Sequence, residues 1–255
     1  MISSGSRGNS TLLWDESSAL LIDCGVPVGY AAKTIAESGL STSDISGILM
    51  THTHGDHIKA PFLRRMINEK VPLYCHHTTR NDYLRDFEFL EKSNIISFGE
   101  RRFSGGNFLI EAFEVTHDSD GCYGFSISSE TSKVTVATDL AYPDDSLVPK
   151  FANSDVILIE SNHDPALLMG SRRPFWLKKR IRDSHLSNPG AAEFIKKVLD
   201  YSELMPSAII LTHLSPECNT SAIAEECMKD MLRSFGISVP VFAAPEREAL
   251  SLIGI

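Results

Sequence analysis

Histidines and an aspartate crowd one stretch of this chain, His52-Thr53-His54-Gly55-Asp56-His57. In extended backbone, residues two apart point the same way, so His52 and His54 can grip one ion. Gly55 permits a sharp turn, after which Asp56 and His57 can face a second ion nearby. Imidazole with carboxylate suits zinc, manganese or iron, and no cysteine competes for the metal. Elsewhere, apolar strand-like runs end in a polar residue six times: Leu20-Leu21-Ile22 at Asp23, Ile48-Leu49-Met50 at Thr51-His52, Phe113-Glu114-Val115 at Thr116-His117, 134–137 at Thr138-Asp139, 156–159 at Glu160, and 209–211 at Thr212-His213. Six such endings on one sheet would converge at one edge, where rigid strands hold ligands open to a cleft.

The elements that must position these residues alternate along the chain. Short β-branched runs predict strands at 19–22, 47–50, 108–115, 123–128, 133–137, 156–159 and 208–211, with another over 71–75. Amphipathic stretches predict helices at 28–38, 60–69, 79–91, 189–199 and 221–235. In the last, Ile223, Cys227, Met231 and Leu232 read as a core stripe. Only Met1-Ile2 precede the Ser/Gly-rich loop, so the opening strand reads as cut short. No repeat or long linker interrupts the 255 residues, which read as a single domain, 1–255, of layered helix and sheet. His76 and His77, beyond the 71–75 run, match no ligand pattern and read as structural.

Composition narrows the class. The chain is 42% hydrophobic and 22% charged, ordinary for a folded domain rather than a disordered tail or a coiled coil. No apolar run approaches the ~20 residues of a membrane span. The N-terminal residues lack the apolar core of a signal peptide, so the expected location is cytoplasmic. Five widely spaced cysteines, with no C-x-x-C pair, read as buried thiols rather than a disulfide framework. A net charge of -9 argues against a whole-surface affinity for nucleic acid, but leaves room for a local basic patch.

The hexad resembles the H-x-H-x-D-H signature of the metallo-β-lactamase superfamily, and the later motifs follow in order over nearly the whole chain. The resemblance implies an α/β, four-layer αββα sandwich with a two-metal site at one edge of its sheets. It implies that His52, His54 and His117 hold one metal, that Asp56, His57 and His213 hold the other, and that Asp139 bridges them. Asp23 matches a buried aspartate that orients the ligand loop. Two divalent ions, Mn2+, Zn2+ or Fe2+, can share a hydroxide at neutral pH and clamp an in-line displacement. The superfamily's substrates range from β-lactams to nucleic acids, so the remaining residues must choose between them.

Three stretches point to the phosphodiesterase branch: Glu160-Ser161-Asn162-His163-Asp164, Ser184-His185-Leu186-Ser187-Asn188, and Leu211-Thr212-His213-Leu214-Ser215-Pro216. They look like the motifs of tRNase Z-like and cyclic-phosphodiesterase enzymes. By that resemblance, His185 contacts the scissile phosphate and donates a proton to the leaving oxygen, with Glu160 orienting it and Asp56 completing the catalytic set. A carboxylate beside His185 raises its pKa toward neutrality. Ser187 is placed to cap the following helix. His163 reads either as a substrate contact or as a hydrogen-bonded histidine beside the site.

The loop Ser4-Gly5-Ser6-Arg7-Gly8-Asn9-Ser10, with 160–164 and Leu177-Lys178-Lys179-Arg180-Ile181, is similar to the YycJ (WalJ) family of metallo-β-lactamase-fold 5′ to 3′ DNA exonucleases. Asn9 would then line the cleft wall. The segment 172–182 carries six cations, Arg172, Lys178 and Arg180 among them, together with Phe175 and Trp176. Its cations could bind backbone phosphates while an aromatic ring stacks on a terminal base. The alternative for this segment is a solvated helix whose apolar residues pack inward. The reading is a DNA-directed phosphodiesterase; the alternative is a small-molecule metallohydrolase acting on a cyclic phosphodiester, thioester or lactone. Oligomeric state is left open.

Overall fold

The computed structural model describes residues 1–99, 102–119, 121–246 and 249–250. In chain order the elements are β1 (Thr11–Trp14), β2 (Ala19–Ile22), α1 (Val28–Glu37), β3 (Ile45–Leu49), α2 (Ala60–Asn68), β4 (Leu73–His76), α3 (Arg80–Asp86), β5 (Ile95–Phe98), β6 (Phe103–Gly105), β7 (Phe108–Val115), β8 (Cys122–Ser128), β9 (Lys133–Ala137), α4 (Val148–Phe151), β10 (Val156–Glu160), α5 (Pro165–Gly170), α6 (Phe175–Ser184), α7 (Asn188–Tyr201), β11 (Ala208–Thr212), α8 (Ser221–Ser234) and β12 (Val241–Ala243). They build two sheets, ordered β1-β2-β3-β4-β5 and β12-β11-β10-β9-β8-β7-β6.

Alternation along the strands sorts side chains into layers. Leu20 and Ile22 of β2 meet Phe125, Ile127, Val156, Leu158 and Ile210 between the sheets. Ala19 and Leu21 point the other way, onto Ala31, Ile35, Phe62 and Leu63 of α1 and α2. In the second sheet Ile157, Ile159, Ile209 and Leu211 face Phe194, Ile195, Val198 and Met228 of α7 and α8. Helix, sheet, sheet and helix therefore stack as the four expected layers.

Strand direction explains the convergence of chemistry. β2 to β5 run parallel, as do β9, β10, β11 and β12. β8 opposes both β7 and β9, so β7 runs with β9. The carboxyl ends of β2, β3, β7, β9, β10 and β11 thus all carry their polar residues to one edge. β8 begins at that edge, which brings Cys122 and Tyr123 there.

The structure corrects several local expectations. The opening strand is β1; residues 1–2 form no strand, and Ser3 makes one bridge to Ser10. The helix expected over 79–91 breaks at Phe87 and continues as a tighter 3-10 turn, Glu88–Lys92. Residues two apart do not share a helix face, and the break brings Phe87 and Phe89 to 6.0 Å on the same cluster as buried Tyr83 and Leu90. On α8 the buried stripe is Ala224, Met228 and Leu232, with Ile223 exposed. Two adjacent apolar stripes compete on that helix, and the small Ala224 lets it approach the neighbouring layer. The segment at 175–184 is a helix, but Phe175 and Trp176 face solvent while Ile181 packs inward. All five cysteines are free thiols, four of them buried.

One close crossing ties this frame to the metal-ligand loop. A Cβ on Gly25 would lie 1.8 Å from the Asp56 carbonyl oxygen and 2.7 Å from the Asn9 amide. Gly25→Ala must push backbone apart, so it should cost about 1–3 kcal/mol, read as a lower urea midpoint. An unchanged midpoint would show that the crossing tolerates a methyl group.

Candidate metal centre and adjoining cleft

The loop between β3 and α2 carries His52, His54, Asp56 and His57, and Asp23 holds it from below. Asp23 Oδ1 accepts the Thr51 amide at 2.9 Å, and its Oδ2 accepts Thr51 Oγ1 at 2.8 Å and His57 Nδ1 at 2.7 Å. The loop closes on itself through His57 N–H to His54 O at 2.9 Å. Asp23 sits directly after β2 with φ of 61°, a left-handed backbone that folds its carboxylate back under the loop.

Each imidazole but one uses Nδ1 to bond the protein. His52 Nδ1 bonds Thr51 Oγ1 at 3.0 Å, His117 Nδ1 bonds Ser184 O at 2.9 Å, and His213 Nδ1 bonds Glu160 Oε1 at 2.8 Å. These bonds assign the proton to Nδ1 and leave Nε2 facing the centre. His54 is the exception, presenting Nδ1 to His117 Nε2 at 3.4 Å. Two triads result, His52/His54/His117 and Asp56/His57/His213, each with its ligand atoms within 4.8 Å of one another, and a third group, His52/His57/Asp139, links them. Asp139 reaches both: Oδ2 lies 2.8 Å from His57 Nε2, and Oδ1 lies 3.6 Å from both His117 Nε2 and His213 Nε2. The sequence-predicted ligands are therefore brought together around shared space.

The centre fits divalent cations. His52 Nε2 is buried with no hydrogen-bond partner, and Asp139 Oδ2 lacks a well-directed one. Such orphans cost about 1–3 kcal/mol each unless something binds them. The donor set is nitrogen and oxygen only, with Cys122 Sγ kept outside at 3.6 Å from His52 Nδ1. The electrostatics agree. Burial pushes the His52 pKa well below its usual value. Burial also opposes charge on His57, but the flanking Asp139 and Asp23 carboxylates outweigh it and hold its pKa at about 10. Burial would raise Asp139, and the neighbouring His213 and His57 hold it well below the usual carboxylate range.

Glu160, at the end of β10, joins this centre to the cleft. It is fully buried. Its Oε2 accepts the amides of Leu140 at 2.7 Å and Leu186 at 3.1 Å. Its Oε1 accepts both His213 Nδ1 and His185 Nδ1, each at 2.8 Å. The His185 ring stacks on His213 with centroids 5.1 Å apart, and its side chain keeps 19% of its surface exposed. Burial opposes charge on His185, yet the ionised Glu160 raises its pKa above the usual histidine value. Ser187 caps α7 by accepting the Gly190 amide at 3.2 Å.

Other predicted residues take different places. Asn9 is buried rather than on the cleft wall: its Nδ2 bonds Asp56 Oδ2 at 3.2 Å and lies 3.0 Å from His57 Nε2, and its amide donates to Asp56 O at 2.7 Å. His163 is also buried, does not line the cleft, and leaves Nδ1 without a hydrogen bond. Lys178 Nζ bonds Met169 O at 2.6 Å, tying α6 to α5, while Arg172 is exposed. Arg180 reaches Asp118 at 2.7 Å, and Asp118 in turn lies 3.1 Å from His117 Nε2. His76 bonds Tyr123 OH at 2.6 Å and Thr78 Oγ1 at 2.7 Å, as a structural histidine does.

Sequence reasoning missed Ser4, Asp118 and Asn162. Ser4 Oγ accepts the His213 amide at 2.7 Å, and Asn162 Nδ2 donates to His213 O at 2.9 Å. Asp118 follows His117 directly, and a carboxylate beside a candidate ligand was the available signal.

A family model described as Beta-lactamase superfamily domain matches residues 19–214. Exodeoxyribonuclease YycJ of Bacillus anthracis is 28% identical over 244 residues, covering 94% of this chain and 90% of that protein. Exodeoxyribonuclease WalJ of Streptococcus pneumoniae is 30% identical over 249 residues, with the same coverage of 94% and 90%. The metallo-β-lactamase fold protein YhfI of Bacillus subtilis superposes with a TM-score of 0.69 at 18% identity, covering 97% of this chain and 95% of that one. Among the described residues, no helix is long and apolar enough to cross a membrane. With the family model spanning most of its length and the ligand clusters gathered at one sheet edge, the chain belongs to the beta-lactamase superfamily, as a metal-dependent hydrolase.

Proposed function

We propose that this hydrolase is a two-metal phosphodiesterase of the cytoplasm that digests DNA from the 5′ end toward the 3′ end. The observation that carries the reading is one carboxylate oxygen, Glu160 Oε1, shared at 2.8 Å by an inward histidine, His213, and a cleft histidine, His185. That arrangement sets a proton donor beside the ligand cluster, which suits a leaving alkoxide. The names of the YycJ and WalJ relatives support DNA as the substrate.

His52, His54 and His117 would hold one ion and Asp56, His57 and His213 the other, with Asp139 common to both. Divalent ions bound there supply Lewis acidity toward phosphoryl oxygens and activate water near neutral pH. The chain's own residues do the rest. Glu160 stays ionised because two backbone amides and two imidazoles donate to it, and its charge keeps a proton on His185. With Nδ1 bonded to Glu160, His185 delivers that proton from Nε2 to the departing ester oxygen. Asp23 and Asn9 keep His57 and Asp56 turned toward the ions. Arg172 and Arg180 contact the strand's backbone, and exposed Phe175 and Trp176 stack on its terminal base.

Purified, manganese-loaded protein should release a 5′ label from linear duplex DNA at once and leave a closed circle intact. Hydrolysis of bis-p-nitrophenyl phosphate with DNA untouched would move the substrate to a small phosphodiester. Asp139→Asn should lose both bound metal and turnover. Asparagine tolerates the left-handed backbone, φ 55°, that Asp139 adopts, so retained metal in this variant would count against a bridging role. His185→Ala should keep its metal content by elemental analysis and lose about 10²–10⁴ in kcat; metal loss instead would make His185 a ligand.

A further inference from the structure

Beside His185 the surface opens into a cleft of about 190 Å3, lined by Ser6, Asn162, Arg173, Arg180, His185 and Ser215, among others. Pockets for whole small-molecule ligands run roughly 300–1,000 Å3, so this one is sized for an anionic group, not for a nucleotide with its base. Its lining offers guanidiniums, hydroxyls and an imidazole, and no carboxylate.

Both guanidiniums are fixed from behind. Glu217 accepts Arg173 Nε at 3.0 Å, and Asp118 Oδ2 accepts Arg180 Nε at 2.8 Å and lies 2.7 Å from its Nη2. An arginine carries five N–H donors. These bonds leave both terminal amino groups of Arg173 and Nη1 of Arg180 without a partner among the described residues. The two carboxylates offset the formal charge of the two guanidiniums, but they also hold each fork in place, so little side-chain freedom is lost when an anion binds. Asp118 stands between Arg180 and the ligand cluster, with its Oδ1 3.1 Å from His117 Nε2. Leu177, Arg180 and Ile181 of α6 line the cleft, and the start of the same helix exposes 72% of Phe175 and 66% of Trp176, flat faces suited to stacking on bases.

We infer that this cleft seats the 5′-terminal phosphate of the strand being digested. The inference rests on the phosphodiesterase reading above. A terminal phosphate monoester carries about -1.5 to -2 charge and three strong acceptor oxygens. An internal diester carries a single charge, and a 5′-hydroxyl carries none. Two anchored guanidinium forks with nearby hydroxyls match the monoester best.

The test uses metal-loaded protein and two hairpin duplexes, identical except for a 5′-phosphate or a 5′-hydroxyl. One set carries phosphorothioate linkages at its ends and reports binding by fluorescence anisotropy; an unmodified set reports digestion. Wild type should bind the phosphorylated end about tenfold tighter or more, the scale of a charge-assisted hydrogen bond. Arg173→Gln should bring that ratio close to one. Lys196→Gln removes a cation that lies over the Phe235 ring, 4.6 Å from its centroid, and should leave the ratio as it is. Equal binding of both ends by wild type, or a preference that Arg173→Gln does not change, overturns the inference. Arg173-dependent end binding with neither hairpin digested would sink the nuclease reading and keep the phosphate seat. Digestion with no end preference would do the reverse.

Discussion

A cation site made of imidazoles works only if each ring is held by the nitrogen that the ion does not use. Here that constraint reaches deep into the fold. Asp23 holds His57, Thr51 holds His52, the Ser184 carbonyl holds His117, and Glu160 holds His213. These anchors come from just past β2, just past β3, the end of α6 and the end of β10. Every layer next to the site must be in place before the rings point inward. The hydrophobic layers therefore do more than exclude water, because they set the positions from which the anchoring oxygens reach the rings.

Backbone strain falls in the same places. Asp23, Asp139 and His213 adopt φ of 61°, 55° and 54°, each at or just past the end of a strand. Left-handed backbone in residues other than glycine is uncommon, and costs on the order of 1–3 kcal/mol where the surroundings impose it. A regular strand would carry the next side chain off along its own direction. The left-handed turn folds it back across the sheet edge, and in all three cases toward the same space. Glu160 needs no such turn, because it is the last residue of β10 itself.

Much of this was legible in the sequence, because its chemistry sits at strand ends. A buried strand reads as an apolar run, and a polar residue at its end stands out. That pattern located Asp23, His52, His117, Asp139, Glu160 and His213 before any coordinates. The hexad was legible because its residues are neighbours in sequence. What sequence could not place depended on partners far along the chain. Asn9 read as a residue of the cleft wall, and the crossing at Gly25 lays it against Asp56 instead. Ser4 meets the His213 amide across more than two hundred positions. The stripe on α8 was one residue out, because two adjacent apolar rows compete and only the docked sheet decides between them. Lys178 looked like its cationic neighbours, and only tertiary contact shows its amine tied to the carbonyl of Met169.

The site also draws its ligands from both sheets, and Asp56 and His213 lie 157 positions apart. An ion held between them acts as a reversible cross-link over most of the chain. Closing so long a loop removes conformational freedom from the unfolded ensemble, with a gain that grows only slowly with loop length. Because the unfolded chain offers no preformed set of ligands, the binding free energy adds to folding stability. The two sheet edges then cannot part until the ion leaves. Opening of this edge and release of the ion become one event, and the face exposed to substrate becomes the last part of the sandwich to loosen.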